Sequence, residues 1–173
     1  MLRKLGPWLM FVAALFVMSL GIALVTRGNL GTTPISSLPL VSSYASSLTF
    51  GETTFLINLL FVAAQWVLLR RSINKVLLLA QIPITLAFSY FIDTSMKFTE
   101  FLSSDVYWKC LAVSMLGNMV LGLGVALEVF SGAAALPGEG LVLAVSTVLH
   151  KPFSSVKIAN DCLLYTSPSP RDS

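Results

Sequence analysis

The sequence predicts an all-α fold, a polytopic helical membrane protein made of two copies of one unit, the second of them truncated. Three observations predict it. Hydrophobic residues make up 55% of the 173-residue chain and charged residues only 11%, against roughly 25% charged in a soluble domain, and the mean hydropathy is +0.84. Four apolar runs, 8–26, 53–69, 75–95 and 106–129, are long enough to cross ~30 Å of hydrocarbon as helices. Residues 17–58 align without a gap onto 120–161 at a constant offset of 103, with ten identities that include Gly21/Gly124, Pro34/Pro137 and Phe50/Phe153. Paired glycines and prolines in one gapless register do not follow from apolar composition. Duplicated units are a property of transporter folds, whose sites form between the halves.

The first run follows Arg3 and Lys4 and has the outline of a signal peptide. It lacks a small-x-small cleavage site, however, and is copied by 119–129 deep inside the chain, so it reads as a structural span. The stretch 32–48, rich in Ser, Thr and Pro, and its mate 135–150 are each expected to form a short helix starting at Pro34 or Pro137. Proline in the first helical turn costs no hydrogen bond. Neither stretch is an obvious full span. Pro83 predicts a kink in 75–95, and Gly117, Gly122, Gly124 and Ala126 predict a small-residue face on which two helices approach closely.

Loop charge bears on how the short segments lie. With the N-terminus cytoplasmic and every segment crossing, six basic residues fall inside and four outside. If the two short segments dip in and return, the split is seven against three, which suits the positive-inside rule better. That reading has three crossings per copy and an inverted second copy. Four crossings per copy, with parallel repeats, is the alternative. The whole is expected to be a single membrane domain over 1–161, with repeat 1 at about 8–95 and repeat 2, incomplete, at about 106–161. The string CLLYTSPSPRD at 162–172 resembles a translated transposase adapter from sequencing libraries. Residues 162–173 are therefore read as a non-native tail.

Several chemistries find no support in the residues. The net charge of +3 comes from short clusters and not from a basic face, so nucleic acid is not implied. Outside the tail Cys110 is the one cysteine, which rules out a disulfide framework or a thiolate metal cluster within 1–161. His150 stands alone beside Lys151 and Pro152. No Ser/His/Asp, HExxH or Cys/His arrangement can be assembled, so no catalytic residue, metal ligand or cofactor is expected, and the chain does not read as an enzyme.

The candidate site residues are polar groups on the repeated short segments and their neighbours. Glu139, in Pro137-Gly138-Glu139-Gly140, sits at a helix N-terminus, where a carboxylate gains ~0.3–1 kcal/mol from exposed N–H groups and the dipole. It is open to two readings, a capping residue or a group that binds a cation, proton or solute. Its repeat mate is Ser36, with Ser37 beside it. Asn58 and Asp161 are mates one segment later, suited either to interhelical hydrogen bonding or to a site between the halves. Glu128 and Asp93 read as solvated ends of their spans, with a buried relay as the alternative at each.

At RGNLGTTPISSLPLV (27–41) and ALPGEGLVLAVS (135–146) the chain resembles the YczE/YitT-like bacterial membrane proteins, an uncharacterised group. The group's LGIAL helix end, NLGTSP turn and PGEG turn are matched at 20–24, 29–34 and 137–140. The resemblance implies a multi-pass protein of the bacterial inner membrane and brings no established chemistry. The functional expectation is a transporter or permease of a small solute or ion, its site lined by Glu139, Ser36, Ser37, Asn58, Asp161, Pro34 and Pro137. A non-transporting membrane partner or regulatory protein is the competing expectation. The bilayer itself is the one partner implied throughout.

Overall fold

The structure, a computed structural model, describes residues 2–28, 31–68, 75–102, 106–132 and 136–165. They form seven α-helices: α1 (Leu2–Arg27), α2 (Pro34–Ala45), α3 (Phe50–Leu68), α4 (Lys75–Phe98), α5 (Tyr107–Ser131), α6 (Pro137–Leu149) and α7 (Phe153–Tyr165), with one 3₁₀ turn at Glu100–Leu102. Among the described residues three helices are both long and apolar enough to cross a membrane: Gly6–Arg27 within α1, α3 and α5. The fourth predicted run forms α4, long enough at 24 residues but diluted by Gln81, Ser89, Asp93 and Ser95. Its proline is accommodated within the helix.

Both short helices start on their prolines, and α3 and α7 start at Phe50 and Phe153. Local chemistry explains the α3 start. Thr49 and Glu52 form a reciprocal cap: the Glu52 N–H donates to Thr49 Oγ1 at 3.1 Å and the Thr49 N–H to Glu52 Oε2 at 2.8 Å, which satisfies two of the donors a helix start leaves open. At the other ends, α5 stops on Gly132 and α6 on His150, both with positive φ, and their N–H groups bond back to Glu128 and Ser146 carbonyls. The segment read as a tail begins inside α7, which continues to Tyr165 with Cys162 and Leu163 exposed. Residues 166–173 lie outside the described set.

The chain divides into two compact units, and α4 contributes to both. The first comprises residues 1–33 and 88–134. Its centre is α1 against α5, held by glycines that remove side chains from the seam. A Cβ on Gly124 would lie 2.8 Å from the Met18 backbone nitrogen, one on Gly21 2.6 Å from that of Leu121, and one on Gly117 2.7 Å from that of Val25. Gly28 meets the Ser114 side chain and the Cys110 carbonyl. As the α1 number rises through 18, 21, 25 and 28, the α5 number falls through 124, 121, 117 and 114, so the two helices run antiparallel. Such backbone approach is how helices associate where lipid removes the hydrophobic drive between them. Beside the seam Ser19 Oγ lies 3.2 Å from Ser95 Oγ, and Arg27 donates to the Met96 carbonyl at 3.0 Å.

The second unit comprises residues 34–87 and 135–173. Here both short helices pack on the same two neighbours: α2 on α3 and α7, α6 on α3 and α7. Thr53 Oγ1 donates to the Pro39 carbonyl at 3.0 Å and ties α3 to the middle of α2. The two helix starts touch as well, since a Cβ on Gly138 would run into the Ile35 side chain.

Both units invert the pattern of a water-soluble protein. Thr53, Thr54, Asn58, Gln65, Gln81, Thr85, Ser89 and Ser95 are buried, whereas Trp8, Trp66, Phe98, Phe101, Trp108, Met119 and Phe130 are exposed. Polar groups lie within, many of them hydrogen-bonded, and the apolar outside is the surface that acyl chains would cover.

Candidate functional site

The first turn of α6 is where the polar chemistry of the second unit converges. Leu136, the residue before the helix, gives no side-chain cap, and Pro137 follows, buried. The side chain that reaches this turn comes from α3: Gln65 Nε2 donates to the Pro137 carbonyl at 3.0 Å. Behind it stands Gln81 of α4, whose Nε2 donates to Gln65 Oε1 at 3.5 Å. Gly140 makes room for both, since a Cβ there would lie 2.7 Å from Gln65 Oε1 and 3.1 Å from Gln81 Nε2. Gln65 is 2% exposed and Gln81 6%. Gln81 Oε1 is buried and accepts no hydrogen bond.

Glu139 lies between these contacts, half-buried in the first turn of α6. Successive helical residues are about 100° apart, so Glu139 sits between the Gly138 side, which meets Ile35, and the Gly140 side, which meets the two glutamines. The other predicted residues spread over neighbouring elements. Pro34 and Pro137 start their helices; Ser36 is buried and Ser37 half-buried on α2. Asn58 is buried on α3, two turns before Gln65 and on the same face, in a stripe with Thr54 and Val62. Asp161 is half-buried on α7, a different helix from its repeat mate. The starts of α2 and α6 are thus brought together, and Asn58 belongs to the helix that delivers Gln65.

Glu128 is a correction. The sequence places it at a solvated helix end, but it is 3% exposed. The cause is the stagger of α5 on α1: Gly124 lies beside Met18, so the following turn faces the middle of α1 and not its end. Asp93, read the same way, is half-buried. Among the described residues no three His, Cys, Asp or Glu side chains gather as metal ligands.

Gln65 and Gln81 are the residues that sequence reasoning missed. A signal existed. Each is an amide inside an otherwise apolar run, and burying an amide without a partner is expensive, so two such residues in successive runs imply a shared bond.

The sequence pattern of one family matches residues 5–167. The chain belongs to DUF6198, a family of unknown function. The Pro137 turn, Gln65 and Gln81 all fall inside the matched range, so the cluster lies within the DUF6198 region. Searches of curated proteins and of solved structures gave no match.

Proposed function

We propose that this DUF6198 protein is a transporter or permease of a small solute or ion in the bacterial inner membrane, with its site at the start of α6. The observation that carries the reading is the buried Gln65–Gln81 pair on the first turn of a short helix that bears Glu139. Transporter sites are typically built from broken helices whose ends face polar groups near the middle of the bilayer.

The topology we assign is an inverted repeat, with α1 and α3 in one copy answered by α5 and α7 in the other. Support comes from the antiparallel α1–α5 seam, because those two helices are mates at offset 103. The seam also maps onto itself under that offset: the contact of Gly21 with Leu121 becomes that of Gly124 with Met18. Antiparallel mates require an even number of crossings between them. α3 and α4 supply two, and α2, with 12 residues and about 18 Å of length, enters and returns. The positive-inside count favours the same arrangement with the N-terminus cytoplasmic. The motif resemblance to YczE/YitT-like proteins fits it, and the reading assigns no catalytic residue.

Uptake by the full chain in proteoliposomes, screened over small cations and neutral solutes, tests the reading. Glu139→Gln is expected to abolish cation- or pH-dependent uptake while expression holds. Uptake unchanged by that substitution removes Glu139 from the site, and no uptake of any solute favours the regulatory-partner reading.

A further inference from the structure

At one end of the first unit α1 stops, α4 stops and α5 starts. Two contacts draw the three helix ends together: Arg27 Nη2 donates to the Met96 carbonyl at 3.0 Å, and a Cβ on Gly28 would lie 3.0 Å from the Cys110 carbonyl. The rings at this end face outward. Phe98 and Phe101 meet edge to face with centroids 6.4 Å apart, Tyr107 and Trp108 with centroids 5.7 Å apart, and all four are exposed. Further along α5, Leu116, Met119 and Leu123 are exposed as well. Rings that cap an apolar helix surface in this way match the level of a bilayer at which aromatic side chains rest between acyl chains and headgroups.

Basic residues gather at the same end. Arg27 ends α1, Lys97 lies in the last turn of α4 and Lys109 in the first turn of α5, both lysines exposed. They are the three that the inverted topology leaves on the outer face, where basic residues are scarce. The helix dipole accounts for Arg27 and Lys97, each at a C-terminus, but it opposes Lys109. Glu100 is the one acid among the described residues from 96 to 110, and Asp105 lies outside them, so three positive charges stand against two negative ones. We propose that this end binds an anionic phospholipid, its phosphate beside Lys97 and Lys109 and the four rings at the top of its acyl chains. The surplus of one positive charge matches a headgroup with one negative charge, such as phosphatidylglycerol, and lysines at a membrane surface draw anionic lipid. The rings single out a lipid over a free anion, since only a lipid brings acyl chains to them. This surface belongs to the first unit and holds whether or not the start of α6 transports a solute.

Thermal unfolding of the full chain in a neutral detergent at low ionic strength, titrated with phosphatidylglycerol, phosphatidylcholine or glycerol phosphate, reads binding directly, because a ligand of the folded state must raise its stability. Phosphatidylglycerol should give a saturable rise in Tm that the other two do not. Replacing both exposed lysines, Lys97→Gln with Lys109→Gln, should weaken that binding by about tenfold or more. Lys151→Gln with Lys157→Gln removes the same charge from the second unit and should leave the binding as it is. Trp108→Ser, which keeps every charge, should weaken it as well. Equal shifts with the two phospholipids, a shift with glycerol phosphate, or a shift that survives loss of Lys97 and Lys109 would overturn the proposal, as would the same loss from both lysine pairs.

Discussion

Residues that touch backbone are where substitution is most informative. Gly21, Gly117 and Gly124 each leave less than 3 Å between a would-be Cβ and the backbone of the facing helix, while Gly122, on the same helix as two of them, has nothing within 4 Å. Gly21→Ala or Gly117→Ala should therefore force α1 and α5 apart and destabilise by about 1–3 kcal/mol, whereas Gly122→Ala should be neutral or stabilise by about 0.5–1 kcal/mol through helix propensity. Thermal or denaturant unfolding in one detergent checks the contrast, and equal losses at all three positions would refute the seam. Gln65→Leu should cost about 0.6–2 kcal/mol, since it leaves Gln81 without the acceptor it now uses. Glu139 was legible from sequence as a carboxylate in an apolar setting. The glutamines were legible only as two amides inside apolar runs, because what sets them on the first turn of α6 is the register of α3 and α4, which no local pattern encodes. Glu128 was misread for a related reason: the end of its own helix is not an end of the helix it packs against.

Elements were more legible than sites. Pro34 and Pro137 announced the starts of α2 and α6 because proline fixes φ and lacks the N–H that a first turn would waste. The Thr49–Glu52 cap was equally readable, and the sequence reading passed over it. Thr49→Ala should cost about 1 kcal/mol and fray the start of α3, visible as faster amide exchange from Phe50 to Thr53, with no change in the α1–α5 seam. Exchange left unaltered would mean that packing on α2, through Thr53 and the Pro39 carbonyl, sets that helix start on its own.

Across the whole molecule, the four apolar runs and the two proline-led segments foretold six of the seven helices, α7 being the one not announced, and of the predicted small-residue face of α5 Gly117 and Gly124 make a close helix contact while Gly122 and Ala126 are exposed. The division of α4 between two compact units was not foreseeable, since it depends on how separate helices sort by shape. The central claim is the inverted arrangement, in which α2 enters the bilayer and leaves by the same face. Ser47, in the segment that follows α2, decides it, because the two topologies put that residue on opposite sides of the membrane. The measurement is labelling of a Ser47→Cys variant with an impermeant thiol reagent in oriented cells or vesicles, after Cys110 and Cys162 are replaced by Ser. Labelling from outside alone is the predicted result; labelling from the cytoplasmic side alone would mean that α2 crosses and that the two copies are parallel.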